Sequence, residues 1–594
     1  MPVTPAAGPI VLVAMPFLHA DRPSIPLGLL KAVGVARGFP VRTLHACLDF
    51  AARLGPDYYA LLADHRGRQV GDWLFSVEAF GAGAPDPDGR RLLRAFGDEL
   101  GYLGDRLPAI RDHDVPAFLD ELERELADAA IVGFSATFQQ SVASFALARR
   151  LKRRRPGVVT IFGGANFDGP MGPALARSLD VIDYAVVGEG DDAFPALLDA
   201  LAKGEDPAAV PGVATRSRHT PPAPPRPHLD DLPVPDYDEY FTRAAGLGLP
   251  VEHVALPFES ARGCWWGARH HCTFCGLNAT TMAFRAKSPE RVLAELDAQS
   301  RRHRTFRFEA VDNILGPRLL RELVPALADR EYQLFYEVKA NLDRAQLRGL
   351  AQAGVTRLQP GLESLSSAVL RRMDKGVRAA QNVNLLRWAR YYGIDIGWNI
   401  LWGFPGETAA DYAAQTALVP HLAHLAPPAD AGPVWLERFS PLFTTFAKRP
   451  EESYSYVYPS TVDLDEVAYF FDYDPVTAVD PAVYAALRDA VAAWTARWRE
   501  PEPPLLVYRA APGFLQIYDT RDPAATGTYT FRDTLATIYL ACSARPRTLH
   551  GLRRDLALPA ATIAAAFKGF AERGLMMLDE DRALSLALPA TPGR

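Results

Sequence analysis

Three cysteines in one short stretch are the residues whose types and spacing point most clearly to chemistry. Cys264, Cys272 and Cys275 follow the pattern Cys-x7-Cys-x2-Cys, whereas Cys47 and Cys542 stand alone. Clustered cysteines more often bind metal than form disulfides, and three thiolates can ligate three irons of a [4Fe–4S] cubane. The fourth iron is then open to another ligand. The two lone cysteines are predicted to be buried apolar residues.

The amino and carboxylate groups of S-adenosylmethionine can chelate such an open iron. An electron from the cluster can then break the C–S bond and release a 5′-deoxyadenosyl radical, while the protein supplies placement and shielding. Zinc is the alternative, because His270 or His271 could complete a Cys3His tetrahedron with the same thiolates. The spacing of the cysteines leaves a cluster, a zinc site and cysteines without a metal all open.

Polar motifs at successive strand ends favour the cluster. Carboxylate, amide and hydroxyl groups suit a ribose and an amino-acid moiety, and glycines let a backbone approach a ligand closely. Each such residue alone could equally cap a helix or a turn. Together they predict a cofactor pocket. The motifs are Glu337-Val-Lys-Ala-Asn341, Gln359-Pro-Gly-Leu-Glu363-Ser364 and Gly397-Trp-Asn399-Ile-Leu-Trp-Gly403-Phe-Pro-Gly406-Glu407.

Two runs of alternating strands and helices must position these residues, which predicts an α/β protein. In the N-terminal run, short apolar strands indicate a parallel sheet covered on both faces, interrupted by a helical insertion near 48–128. In the second run, six units predict a partial or full parallel (β/α) barrel with its site at the C-terminal strand ends. The predicted barrel strands lie near 254–261, 305–310, 334–340, 356–361, 395–401 and 434–439.

These patterns divide the chain into four parts. Residues 1–215 are predicted to form a Rossmann-like domain, 216–250 a proline-rich linker, 251–447 the barrel and 448–594 a mainly α C-terminal domain. Within the last part, 533–588 suggest three helices and a hairpin, which is a winged-helix pattern. Such a unit could offer a strand edge to a peptide, or could simply cap the barrel.

Composition limits the compartment and the partners. The formal net charge of -6 gives no basic footprint for nucleic acid. No apolar run is long enough for a membrane span, and the start lacks a basic region followed by an apolar stretch. We therefore expect a cytoplasmic protein with no membrane association and no nucleic-acid partner.

In these motifs, the chain resembles the cobalamin-binding radical S-adenosylmethionine enzymes that mature ribosomal peptide natural products. The stretch Cys264–Arg285 with Lys287-Ser-Pro-Glu-Arg carries the resemblance most specifically. It extends over most of the chain and is weakest after about residue 448. The other matching motifs are Pro23-Ser24-Ile-Pro-Leu27-Gly28, Asp72-Trp-Leu-Phe-Ser76, Phe162-Gly-Gly-Ala-Asn166, Gly188-Glu-Gly190, Asp312-Asn313, Met373-Asp-Lys375-Gly376 and Gly403-Phe-Pro-Gly-Glu407.

The resemblance implies a C-methyltransferase that acts on a ribosomally made precursor peptide. S-Adenosylmethionine would both methylate cobalamin and make the radical, and a flavodoxin or ferredoxin type of protein would donate electrons. The resemblance assigns no catalytic residue. It places Phe274 against the adenine, and its other implied contacts to S-adenosylmethionine are Gly276, Glu337, Lys339, Asn341, Glu363, Ser364 and Asn399.

For the N-terminal domain, the resemblance implies a cobalamin site at the edge of the sheet. Hydroxyls and glycines there would meet the nucleotide of the corrin, and an ordinary doubly wound domain is the alternative. The Asp-x-His-x-x-Gly signature is absent and His19 and His45 lack that context, so we expect no histidine on the lower cobalt face. The implied contacts are Ser135, Thr137, Phe138, Gly163, Gly164, Glu189 and Gly190.

Three other functions stay open at this point. The same cofactors could serve epimerisation or cross-linking of the peptide. A cobalamin or iron–sulfur sensor could use a winged helix to bind DNA. Methylthio transfer to RNA would favour a second set of cluster cysteines and a basic domain, which the chain lacks.

Overall fold

The structure is a computed structural model that describes residues 8–65, 67–278, 281–474 and 479–591. Two positions of the cysteine-rich stretch, 279 and 280, lie outside the described residues. Among the helices that are described, none is long and apolar enough to cross a lipid bilayer.

The N-terminal domain is a sheet of six strands with helices on both faces. Its strands are fully apolar or nearly so, because both faces are covered. Helices Ile25–Ala36 and Gly190–Lys203 cover one face, and Ser141–Arg154 packs on the other. The last strand is antiparallel to its neighbour and the others are parallel; in spatial order they are Val41–Leu44, Ile10–Val13, Ile131–Ser135, Val159–Gly163, Tyr184–Val186 and Val213–Ala214.

The predicted helical insertion is present between the second and third strands along the chain. Its core includes Trp73, which is fully buried and donates its indole N–H to Asp86 at 2.9 Å. A π-helical turn at Ile110–Asp114 precedes the last helix. The main helices of the insertion are Ala46–Leu54, Pro56–Asp64, Val70–Phe80, Arg90–Leu100 and Val115–Glu125.

The segment predicted as a linker, 216–250, is not irregular throughout. Helix Asp238–Gly246 forms after the last proline of the proline-rich run, Pro235. The helix is held against the N-terminal domain because the hydroxyl of the buried Tyr240 donates to the Ala20 carbonyl at 2.7 Å. The segment therefore packs against the N-terminal domain as well as connecting it to the barrel.

The predicted barrel forms as an open, two-part structure. Five parallel strands make one sheet, and strand Asn399–Trp402 pairs separately with Asp430–Pro433. A parallel bridge between Glu363 and Ile400 joins the two parts. The five strands are Leu256–Phe258, Arg307–Ala310, Gln333–Glu337, Val355–Gln359 and Asp395–Ile396, and the helices between the barrel strands include Pro289–His303, Pro317–Leu327, Arg344–Gln352, Ala379–Tyr392 and Ala409–Leu418.

Two predicted barrel strands differ in the structure. The strand expected near 395–401 is broken in two, and the one expected near 434–439 lies earlier, at Asp430–Pro433. Leu436–Glu437 instead pairs antiparallel with Phe470–Tyr473 in a separate sheet of three strands. The apolar run near 434–439 therefore packs against chain that lies beyond the barrel.

The C-terminal region, predicted to be mainly helical, also contains antiparallel strands within residues 506–532. The second and third of these strands alternate more buried and exposed side chains, with Leu515 and Ile517 fully buried. Three helices and the predicted hairpin follow, and the winged-helix interpretation of them stays a prediction. The elements are helix Pro481–Trp498, strands Leu506–Ala511, Phe514–Asp519 and Gly527–Arg532, helices Asp533–Ala541, Leu549–Leu556 and Ala560–Glu572, and strands Arg547–Thr548, Met576–Asp579, Arg582–Ser585 and Leu588–Pro589.

One buried arginine ties this region to the barrel. The side chain of Arg387, on barrel helix Ala379–Tyr392, is fully buried and donates to the Leu586, Ala587 and Ser543 carbonyls at 2.8–3.1 Å. Burial lowers the pKa of this guanidinium to about 10. The hairpin Asp579 also accepts hydrogen bonds from Ser367 and from the backbone of that helix. The C-terminal region is thus an integral part of the fold.

Candidate functional site

The three clustered cysteines lie in a loop between two short paired strands, Ala261–Arg262 and Arg285–Ala286. All three thiols line one cavity of about 230 Å³ at the C-terminal ends of the barrel strands. Loop contacts hold them there, because the Gly267 N–H donates to the Cys264 sulfur at 3.2 Å. Three partly accessible thiols therefore face a single cavity.

The two histidines beside the thiols make other contacts and do not complete a zinc site with them. Within the described residues, no group of three His, Cys, Asp or Glu side chains is arranged to hold one metal ion. A single zinc needs its ligands to converge on one point, whereas the thiolates of a cubane bind three separate irons. Moreover, His271 Nε2 donates to the Cys275 carbonyl at 2.9 Å, and His270 stacks on Trp266 at 4.4 Å. The residues present fit a cubane with three protein ligands.

Two lysines supply positive charge beside the thiols. Lys339 donates to the Lys375 carbonyl, and its Nζ lies 3.5 Å from the centre of the Trp266 ring. Burial, together with the neighbouring Lys375, lowers the pKa of Lys339 to about 8. The Lys375 ammonium lies 3.4 Å from Glu363, and although burial opposes it, that carboxylate and the nearby thiols raise the pKa of Lys375. These ammonium groups are placed to offset the negative charge of three thiolates.

The cavity contains half of the residues predicted to contact S-adenosylmethionine. Phe274, Glu337, Lys339 and Glu363 line it. Burial is the main reason that the pKa of Glu337 is raised to about 7, and the nearby Asp312 and Glu363 add to it. Aromatic, cationic and carboxylate groups thus meet at one edge of the sheet, as the strand-end motifs predict.

Four other predicted contacts are not among the described residues that line this cavity, and their contact with S-adenosylmethionine stays a prediction. The Ser364 hydroxyl is fully buried and donates to Gln415 at 3.0 Å. The Gly276 N–H donates to Glu437 at 2.8 Å. The exposed Asn341 and Asn399 lie at strand ends outside the cavity lining. Ser364 and Gly276 therefore hold the loops around the cavity.

Several lining residues had no role assigned from the sequence. Asn313 and Lys375 belong to motifs that carried the family resemblance, so the signal for them was present. Trp266 and Asn278 lie in the cysteine-rich stretch itself. Asp312, next to Asn313, is buried and accepts bonds from both the backbone N–H and the hydroxyl of Ser260. This carboxylate fixes the end of the strand that leads into the cysteine loop, and burial raises its pKa to about 7.

A second cavity, of about 370 Å³, lies between the N-terminal sheet and the barrel. It is the candidate cobalamin cavity, because six of the seven predicted contacts line it: Ser135, Thr137, Gly163, Gly164, Glu189 and Gly190. Gly164 has a φ of +96°, and a Cβ there would lie 2.6 Å from the Ala136 carbonyl oxygen. Only glycine fits this close approach. The barrel contributes Arg262, which forms ion pairs with Glu259 and Asp191.

Phe138 is the exception among the predicted cobalamin contacts. Its side chain is 42% exposed, its φ is +45°, and it lines a separate, smaller cavity. His19 and His45 also lie outside the lining of the cobalamin cavity. Nε2 of the buried His45 accepts from the Ser24 N–H at 3.0 Å, and burial lowers its pKa to about 3. His19 pairs with Asp64 at 3.7 Å.

The two cavities adjoin. Asn278 and Asn313 line both of them, and the Asn313 amide donates to the Asn278 side-chain oxygen at 2.8 Å. A group bound in one cavity is therefore separated from the other cavity by little more than this pair of side chains.

Comparison with known families agrees with this division. Residues 258–414 match the Radical SAM superfamily, and residues 90–198 match the B12 binding domain. An uncharacterized methyltransferase of Pyrococcus horikoshii is 25% identical over 350 residues, which cover 55% of this chain and 73% of that protein. The hopanoid C-3 methylase of Methylococcus capsulatus is 26% identical over 302 residues, which cover 48% of this chain and 55% of the methylase.

Two solved structures share the fold. The radical S-adenosylmethionine methyltransferase TsrM from Kitasatospora setae superposes with a TM-score of 0.53 at 16% identity, covering 80% of this chain and 88% of TsrM. The cobalamin-dependent S-adenosylmethionine radical enzyme OxsB superposes with a TM-score of 0.54 at 14% identity. The superposition covers 83% of this chain and 67% of OxsB. The predicted fold class is confirmed in its two main domains. The chain thus combines a segment that matches the B12 binding domain with a segment that matches the Radical SAM superfamily, and the cofactors of these two domains are cobalamin and a [4Fe–4S] cluster with S-adenosylmethionine.

Proposed function

We propose that the protein methylates an unactivated carbon of a ribosomally synthesised precursor peptide. When bound, the cluster with S-adenosylmethionine supplies a 5′-deoxyadenosyl radical and cobalamin supplies the methyl group. The observation that carries the proposal is the common wall of Asn278 and Asn313, which brings the two cofactor cavities together. A substrate carbon at this wall can meet both groups in turn, and positioning of this kind is the protein's main contribution.

The adjoining cavities favour methylation over the other candidate functions. Epimerisation and cross-linking need hydrogen abstraction but no methyl carrier beside the radical. A sensor needs bound cofactors but no access for a substrate carbon to both of them. The peptide as substrate rests on the sequence resemblance and is tested separately below.

Mass spectrometry tests the proposal directly. Anaerobically reconstituted enzyme is mixed with a reductant, cobalamin, S-adenosylmethionine labelled with deuterium in its methyl group, and the precursor peptide encoded beside the gene. We expect the peptide to gain a labelled methyl group on carbon. A peptide altered without any label, by isomerisation or cross-linking, would instead support the non-methylating function.

A second prediction concerns the lower face of cobalt. No histidine is among the described residues that line the cobalamin cavity. The electron paramagnetic resonance spectrum of the Co(II) form should therefore lack nitrogen superhyperfine splitting from a histidine. Splitting that disappears in a His45→Ala variant would contradict the assignment of the cavity, because His45 lies outside its lining.

The C-terminal region is proposed to hold the peptide away from the reacting carbon, where remote binding energy can position it. Strand Gly527–Arg532 is an edge of its sheet, and an extended peptide can add to such an edge through main-chain hydrogen bonds. Deletion of this region would leave Arg387 without its carbonyl partners, so hydrogen exchange is the cleaner test. We expect the precursor peptide to slow exchange of amides in 527–532 or in the hairpin 576–585. Unchanged exchange in both segments would identify the region as structural.

A further inference from the structure

A third cavity, of about 80 Å³, lies between the N-terminal domain and the chain that follows the barrel. We call it the tyrosine cavity, because Tyr454, Tyr458 and Tyr469 line it. It shares Thr137 with the cobalamin cavity and Leu277 with the cavity of the cysteines. It therefore meets both cofactor cavities, and the cofactor assignments leave it unexplained.

The tyrosine cavity holds a buried carboxylate. Asp72, near the start of helix Val70–Phe80, is only 1% exposed and is the only charged side chain among the described lining residues. One of its oxygens accepts from the Val142 N–H at 3.0 Å. Within the described part of the chain, no lysine, arginine or histidine forms an ion pair with it. A carboxylate buried without a cation is costly, so this one is suited to a positively charged ligand.

Aromatic rings form much of the remaining wall. Phe138 and Phe470 line the cavity together with the three tyrosines. The hydroxyl of Tyr454 accepts from the Tyr469 N–H at 3.1 Å, and Tyr469 directs its own hydroxyl to Glu437 at 3.4 Å. These bonds fix the two rings. The negative faces of aromatic rings attract a cationic nitrogen, most strongly where water is excluded.

We propose that the tyrosine cavity binds a primary ammonium group of the substrate, with Asp72 as its counter-ion and the tyrosine rings around it. The identity of the occupant as substrate rests on the proposed function, whereas the preference of the cavity for an ammonium group does not. Bound there, the substrate reaches the boundary of both cofactor cavities at Thr137 and Leu277. The charge of Asp72 thus becomes a determinant of specificity.

The protonation of Asp72 agrees with this role. Burial raises the pKa of its carboxyl to about 7 in the absence of a cation. An ammonium group in contact would favour the ionised form and lower this pKa. The Val142 N–H holds the carboxyl when the cavity contains no cation.

The test uses n-butylammonium as the probe and its neutral counterpart n-butanol as the control. Saturation-transfer difference nuclear magnetic resonance is measured on enzyme reconstituted with its cluster and with hydroxocobalamin. We expect n-butylammonium to bind about tenfold more tightly than n-butanol. Asp72→Asn keeps an acceptor for Val142 and should remove this difference. Glu78→Gln, on the same helix but paired with Arg150 outside the cavity, should retain it.

Two outcomes would overturn the proposal. Equal binding of amine and alcohol by the wild-type enzyme would show that Asp72 does not select a cation. The second outcome is that the amine binds to enzyme without cobalamin but not to enzyme reconstituted with it. The cavity would then hold a side chain of the corrin and not a substrate amine. Neither binding measurement needs turnover. A failure of peptide methylation would therefore leave the amine preference of the cavity valid, and a failure of amine binding would leave the methylation result valid.

Discussion

Replacement of Cys264, Cys272 and Cys275 by alanine is expected to abolish iron binding and all cleavage of S-adenosylmethionine. The wild-type enzyme should bind about four irons per chain after anaerobic reconstitution. The three thiols line one cavity beside Lys339 and Lys375, and they are not arranged for a single ion within the described residues. Iron analysis and the absorbance of the cluster measure the loss.

Matched controls come from the two lone cysteines. Cys47 and Cys542 are buried away from this cavity, and burial raises the pKa of both thiols to about 12. Cys47→Ala and Cys542→Ala should therefore keep the full iron content. Stoichiometric zinc without cluster absorbance in the wild-type enzyme would contradict the cluster assignment.

Substitution of Arg387 by methionine is expected to lower the free energy of unfolding by about 3 kcal/mol or more. The change leaves the Ala587 and Ser543 carbonyls without this donor, and each such buried group is costly. The Leu586 carbonyl loses one of two donors and keeps His424 Nε2 at 3.1 Å. The methylene stem is roughly kept, so the effect reports hydrogen bonds rather than volume. Urea unfolding, followed by tryptophan fluorescence, measures it.

Arg390→Met is the matched control on the same helix. Arg390 is partly exposed, and its guanidinium lies 4.3 Å from the Trp498 ring, so its loss should cost much less. If both variants unfold at the wild-type urea concentration, the C-terminal region is not anchored through Arg387. The hydrogen-exchange test of peptide binding would then need to be interpreted again.

The sequence predicts the structure correctly where physical constraints act locally. Short apolar strands such as Ile10–Val13 and Ile131–Ser135 form the parallel sheet predicted for the N-terminal run, because a parallel sheet covered on both faces needs apolar side chains throughout. The cysteines and the residues Glu337, Lys339 and Glu363 meet in one cavity, since parallel strands end at one edge.

The prediction fails where distant segments decide the outcome. Strands Phe514–Asp519 and Gly527–Arg532 carry threonines, a glutamine and an arginine among their exposed side chains, so they lack the apolar runs that identified the other strands. The Ser364 hydroxyl donates to Gln415, which lies on a later helix, and no pattern near Ser364 signals that bond. The tyrosine cavity joins Asp72 to Tyr454 and Tyr458, which lie almost four hundred positions later, and no local pattern signals that contact.

The most direct test of the account counts the products of S-adenosylmethionine during turnover. The central claim is that the two adjoining cavities act together, one making the radical and the other delivering methyl. With peptide present, the enzyme should form 5′-deoxyadenosine and S-adenosylhomocysteine in equal amounts, each matching the methylated product. Formation of 5′-deoxyadenosine with altered peptide but without S-adenosylhomocysteine would contradict the account, because the cobalamin cavity would then play no part in the reaction.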